Sequence, residues 1–207
     1  MPACIKAVIP FFWPMEFCCM FSLFVFSVYL LIVISLLWGR LRFFKVNAGT
    51  PTLAAWMYDL AVAVQMILTA YYFFSVTDVT KLMLGICLLL YLFSLVLFWW
   101  AIFTAKSLDF AFSNHVGSIV TTGPFGLFRH PFYVSYIVAW SGSTLLFNTP
   151  LLWITLIYLV AFYTLSARKE ERLILKSTQA EQYQHYQQHV GMFLPRIKKW
   201  KQLNSKH

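Results

Sequence analysis

Arg129 and His130 stand side by side in a turn-forming stretch, Gly123-Pro124-Phe125-Gly126-Leu127-Phe128-Arg129-His130-Pro131-Phe132-Tyr133, within a chain that is otherwise mostly apolar. An adjacent guanidinium and imidazole suit an anionic group or a proton in transit, and Tyr133 adds a hydroxyl one turn on. Further along, Glu170 and Glu171 present two carboxylates together. Ionisable groups beside lipid are costly to hold, so chemistry is the first reading of both pairs. The plainer readings are an interfacial anchor for Arg129 and a solvated helix face for the glutamates, paired with Arg168, Lys169 or tail lysines.

The elements that must position these groups follow from composition. Hydrophobic residues make up 60%, aromatic residues 19% and charged residues 11%, with a mean hydropathy of +0.71. That excludes a soluble globular domain and indicates an all-α integral membrane protein. Apolar runs recur at Phe17–Trp38, Leu53–Phe74, Leu82–Thr104, Phe132–Phe147 and Leu151–Ala167, and predict five spans. The first three suit the ~20 residues of a spanning helix, whereas the last two sit near its lower limit of ~17. The first run is too long for a signal peptide and lacks a small-x-small site, so it is expected to be retained.

Asn148-Thr149-Pro150 predicts a tight turn between the fourth and fifth spans. Such a hairpin brings the start of one beside the end of the other, so Arg129 and His130 are expected to meet Glu170 and Glu171 across a solvated cleft. Gly123-Pro124 signals a turn, while Pro131 suits the first turn of a helix and restricts His130 to extended geometry. The free N–H groups of that helix start, with Arg129, suit a carboxylate or phosphate. Beyond Ala167 the chain turns polar without Gly or Pro until Gly191, which predicts a long helix or a bent pair across the cytoplasmic mouth. The whole reads as one multi-pass domain, with a three-helix part over 1–110, a site-bearing part over 111–196 and a basic tail over 197–207.

Of the sixteen Lys and Arg residues only Lys6 and Lys81 fall on one side of this layout, so the carboxyl terminus is expected in the cytoplasm and the amino terminus outside. The membrane could be a plasma or inner membrane or the endoplasmic reticulum. The net charge of +9 and the run Arg196-Ile197-Lys198-Lys199-Trp200-Lys201 point to anionic lipid headgroups. No nucleic-acid partner is expected, because no binding fold accompanies the basic run. Cys4, Cys18, Cys19 and Cys87 have no metal-site spacing, and Cys18-Cys19 is expected to pack or carry lipid. His185 and His189, at i and i+4, lack a third ligand, so no metal is expected. Asp59 and Gln65 lie in span two. Asp59 could pair with Arg129 or line an acceptor path, or the two could form a polar contact between helices.

Taken in order, Thr122-Gly123-Pro124, Arg129-His130-Pro131 with Tyr133, Glu170-Glu171 with Leu173, Tyr183 and Tyr186, and Leu194-Pro195-Arg196 resemble the isoprenylcysteine carboxyl methyltransferase and phospholipid methyltransferase group of membrane enzymes. The resemblance runs from Val120 to Arg196. It implies S-adenosylmethionine enclosed by the last hairpin and tail at the cytoplasmic face, with a lipidic or prenylated acceptor arriving from the membrane. The cofactor-binding residues it implies are Gly123, Pro124, Phe125, His130, Pro131, Tyr133, Glu170, Glu171, Tyr183 and Tyr186. Phe125, Phe128, Tyr183 and Tyr186 could wall the adenine. Arg129, His130 and Glu171 are the expected catalytic residues, with Arg129 and Asp59 toward the acceptor, and Arg129 could instead bind the cofactor's carboxylate. The chain departs from the group at Phe125, where Tyr is common, at Gly126, where a basic residue is common, and at Ser135, where Gly is common.

Two other classes stay open on sequence. The sterol reductases and steroid 5α-reductases share an Arg-His-Pro-x-Tyr element and bind NADPH, although a phosphorylated dinucleotide calls for more basic residues than this chain offers. A non-enzymatic membrane scaffold would use the polar cluster only as structural glue.

Overall fold

The computed structural model describes residues 13–42, 52–76, 79–106 and 119–196. Cys4, His115 and the basic residues from Lys198 onward lie outside the described residues, as do the side chains of Glu16, Cys18 and Cys19. Among the described residues there are six α-helices: α1 (Trp13–Arg42), α2 (Thr52–Ser75), α3 (Lys81–Lys106), α4 (Pro131–Phe147), α5 (Pro150–Ile174) and α6 (Ala180–His189). The all-α membrane architecture expected from composition is therefore the one found. Among the described residues, four helices are long and apolar enough to cross a membrane: α1, α2, α3 and α5. The expected fourth span is α4, a helix of 17 residues, which sits at the lower limit of ~17 for a crossing.

Local chemistry sets the helix ends. Pro131 and Pro150 each open a helix, where a missing N–H costs nothing. Between α4 and α5, Asn148 takes the left-handed conformation, φ 47°, which asparagine tolerates. Its side-chain oxygen accepts the Trp153 indole N–H at 2.9 Å, bracing the turn.

The chain forms two compact units, residues 1–94 with 137–160, and residues 95–136 with 161–207. In the first, Gln65 of α2 is wholly buried. Its amide nitrogen donates to the Trp140 carbonyl at 3.4 Å and to the Thr144 hydroxyl at 3.3 Å, and the Thr155 hydroxyl donates to its oxygen. With no water available, this satisfied amide ties α2 to α4 and α5. The Tyr91 and Ser143 hydroxyls share a hydrogen bond of 2.7 Å. Gly142 lets α4 approach, since a Cβ there would lie 3.0 Å from the Tyr91 ring. Asp59, also on α2, is exposed.

In the second unit, Tyr136, Tyr163 and Phe98 pack together, with Tyr136 and Tyr163 rings 5.7 Å apart and Phe98 and Tyr136 rings 6.2 Å apart. The polar extension of α5 is the bent pair. Ser177 donates its hydroxyl to the Ile174 carbonyl at 2.7 Å and accepts from the Gln179 N–H at 3.2 Å, so a side chain replaces the helix's own bonding and the chain turns. Helix α6 then buries Tyr183, Tyr186 and, just past its end, Val190 against Ile119, Ile174 and Leu175.

Replacing Gln65 with leucine removes the polar tie while keeping the volume. Gln65→Leu should lower unfolding stability in detergent by about 1 kcal/mol, measured by thermal melting; an unchanged midpoint would show that the three helices do not depend on this amide.

Candidate functional site

The site grows from a short turn. Gly123 has φ +58°, and a Cβ on it would stand 2.7 Å from the Thr104 hydroxyl and 3.3 Å from the Trp100 indole nitrogen. Both the left-handed conformation and the close approach to α3 call for glycine. A 3-10 turn follows over Gly123–Gly126 with Pro124 buried, and the chain then straightens. Arg129 donates its backbone N–H to Gly191 at 2.8 Å and His130 donates its own to Met192 at 3.3 Å. This parallel pairing of Phe128 with Gly191 lays the segment after α6 along the start of α4. Gly191 is required there as well, because a Cβ on it would collide with the Leu194 carbonyl.

The expected meeting of Arg129 and His130 with Glu170 and Glu171 is present, centred on Glu171. This residue is 7% exposed. Its Oε1 accepts from Arg129 Nε at 2.8 Å and lies 3.1 Å from His130 Nε2, and its Oε2 accepts from the Gln187 amide at 2.9 Å. The Arg129 side chain is itself 8% exposed, and its Nη1 donates to the carbonyls of Val190 at 2.7 Å and Gln187 at 3.3 Å. A buried charge needs this degree of compensation. Glu170 differs, with a side chain 47% exposed, one oxygen 3.5 Å from His130 Nδ1 and the other accepting the Tyr133 hydroxyl at 2.5 Å.

Electrostatics couple these groups. Burial alone would lower the pKa of His130, but hydrogen bonds and charge from Glu170 and then Glu171 outweigh it and raise it above the ordinary value. With a carboxylate at each ring nitrogen, the doubly protonated imidazolium satisfies both, whereas neutral imidazole can donate to one. Burial likewise opposes the ionised form of Glu171, but His130 and Arg129 together hold it well below the ordinary carboxylate value. The two cations and two carboxylates balance when His130 is protonated.

The remaining sequence-predicted residues fall into three places. Pro131, Tyr133 and His130 stay with the cluster, and the His130 and Tyr133 rings stack at 5.6 Å. Tyr183 and Tyr186 are buried under α6, and Tyr186 donates its hydroxyl to the Phe125 carbonyl at 2.5 Å, which fastens the helix to the Gly123–Gly126 turn. Asp59 belongs to the other unit. The expectation of a solvated cleft fits Glu170 but not Glu171 or Arg129, because Glu171 shares the inward face of α5 with Tyr163 and Ala167, both buried. Ser135 is buried and turns its hydroxyl back to the Phe132 carbonyl at 2.7 Å. His189 Nδ1 donates to the His185 carbonyl at 2.8 Å, and among the described residues no group of three or more His, Cys, Asp or Glu is placed to hold a metal ion.

Sequence reasoning missed Gln187 and the Val190–Met192 backbone. A signal existed, since Gln187 lies four positions after Tyr183 and three before Val190, on the face of α6 that packs inward.

An Arg-His pair opening a short helix, closed on a Glu-Glu pair where a spanning helix ends, now has a geometry that can be set beside known proteins. Residues 83–176 match the isoprenylcysteine carboxyl methyltransferase (ICMT) family. The matched segment runs from α3 to the turn after α5 and contains Arg129, His130, Tyr133, Glu170 and Glu171. Gln187 and the rest of α6 follow it, and α1 and α2 precede it. Members of the ICMT family are membrane methyltransferases, which generally use S-adenosylmethionine. No curated protein and no solved structure matches the chain.

The raised pKa of His130 means that its contribution to stability is complete below the ordinary 6.5 and is lost as the pH rises through the higher folded value. The contribution of Glu171 is complete above 4.5 and is lost as the pH falls toward about 2. In detergent-solubilised protein labelled at histidine, NMR titration should place the His130 midpoint above 6.5, and Glu171→Gln should move it downward. A wild-type midpoint at or below the ordinary value would contradict the double carboxylate contact.

Proposed function

We propose that this chain transfers a methyl group from S-adenosylmethionine to a membrane-associated acceptor, an isoprenylcysteine-type carboxylate or another lipidic group. The ICMT match over residues 83–176 carries the reading, because that segment holds both halves of the ion cluster. The donor set suits the cofactor. Glu170 is an accessible carboxylate, half-exposed and hydrogen-bonded to Tyr133, of the kind an ammonium group or ribose hydroxyls require.

The cofactor supplies an electrophilic methyl carbon on a sulfonium centre. Displacement at such a carbon depends mostly on positioning and on a dry site. In this chain His130 and Tyr133 hold Glu170, the carboxylate left accessible to a cationic group, while Arg129 and His130 fix and neutralise Glu171. Arg129, spent on Glu171 and two carbonyls, serves as the clamp between α4, α5 and α6. A carboxylate acceptor is its own nucleophile and needs no base. An amine or thiol acceptor needs a base, and His130 can take a proton only in its neutral form, above its raised pKa, while Glu171 is held too acidic.

Calorimetric titration of the purified protein with S-adenosylhomocysteine should show saturable binding, and a parallel titration with NADPH should show none. His130→Ala should weaken the first by at least about tenfold. Binding of NADPH alone would overturn the proposal in favour of a reductase, and silence from both ligands in folded protein would favour a scaffold.

A further inference from the structure

The carboxylate at the centre of the cluster is held asymmetrically. Both charged donors, Arg129 Nε and His130 Nε2, reach Oε1 of Glu171. Held on that side alone, the carboxylate could rotate about its last bond and exchange its oxygens. The opposing hold on Oε2 is the Gln187 amide, at 2.9 Å. Gln187 also accepts Arg129 Nη1 on its backbone carbonyl at 3.3 Å, so one residue of α6 touches both members of the buried ion pair. Its position is set by buried neighbours on the same helix face, Tyr183 and Val190.

We propose that Gln187 is a positioning residue that fixes the orientation of Glu171 and thereby the ligand-binding geometry of the Glu170–Glu171 pair. The proposal rests on the methyltransferase reading above for the identity of the ligand. An amide is the informative choice at this point. It donates to Oε2 without adding charge, so Glu171 remains fully ionised and its field is balanced by Arg129 and His130 alone. A cationic residue there would add a third positive charge, and a shorter or apolar one would remove the amide's hold on Oε2. Gln187 touches Glu171 from α5 and Arg129 ahead of α4; the groups that act on Glu171 in turn are Arg129, His130 and, from α6, Tyr183 and Tyr186.

Gln187→Glu tests this, because it keeps the shape and exchanges the donor for a second carboxylate. Two carboxylates at hydrogen-bond distance repel when both are ionised and share a proton when acidified, which restores a donor to Glu171. S-adenosylhomocysteine affinity should therefore fall at least about tenfold against wild type near pH 8, and the gap should close to within about threefold near pH 5.5. Gln184→Glu, which adds the same charge on the exposed side of α6, should follow wild type at both pH values. A Gln187→Glu variant that binds like wild type near pH 8, or that loses the same factor at both pH values, would overturn the proposal.

A second readout needs no ligand. Gln187→Ala should lower the His130 NMR midpoint toward its ordinary value as Glu171 swings free, and an unmoved midpoint in folded protein would also overturn the proposal. If wild-type protein binds no S-adenosylhomocysteine, the methyltransferase reading fails, and the His130 midpoint still decides the role of Gln187.

Discussion

Taking a carboxylate out of water costs several kcal/mol unless donors replace the water, and Glu171, on the inward face of α5, is 7% exposed. Donors from Arg129, His130 and Gln187 answer it. Two of these precede α4 and the third sits on α6, so satisfying this one group requires three parts of the chain to be in register. The backbone pairing of Arg129 and His130 with Gly191 and Met192 supports the same arrangement, as does the hold of Tyr186 on the Phe125 carbonyl. Around this charge the second unit closes.

That constraint divides the labour among residues that look equivalent in sequence. Glu170 and Glu171 are neighbours, yet one faces outward with half its side chain accessible and the other is enclosed. The exposed carboxylate is available to a ligand, and the enclosed one supplies a fixed field and an anchor. Arg129 and His130 divide in the same way. The guanidinium ties Glu171 to the Gln187 and Val190 carbonyls through Nε and Nη1, while the imidazole lies between the two carboxylates and is the group in the cluster whose protonation changes nearest neutral pH. Methyl transfer, which asks for orientation and dryness more than for proton traffic, suits a site built so rigidly.

Much of this was legible before any coordinates. Long apolar runs without internal proline predict α1 to α5 within a few residues, and Pro131 and Pro150 mark two helix starts because proline tolerates that position and few others in a helix. The hairpin logic that brings Arg129 near Glu171 needs only a short turn between antiparallel helices. Three features were not read out. The break after Ile174 carries no Gly or Pro and depends on the Ser177 hydroxyl competing with the helix, a contest decided by packing of α6. Which glutamate turns inward follows from helical phase with Tyr163 and Ala167, a periodicity visible in the chain but unweighted beside two adjacent acids. Gln187 has no charge to draw attention, and its role emerges only when Oε2 of Glu171 is found to need a donor. The first two helices are the least legible, since α1 and α2 show apolar surface, a buried glutamine and an exposed Asp59 rather than an ordered motif.

The central claim is that the buried carboxylate of Glu171 holds α6 and the following segment against the start of α4. Hydrogen exchange of the detergent-solubilised Glu171→Ala variant tests it most directly. The account predicts faster exchange at the amides of α6, Arg129 and His130, with protection retained around Gln65 in α2; protection of α6 equal to that of the wild type would contradict it.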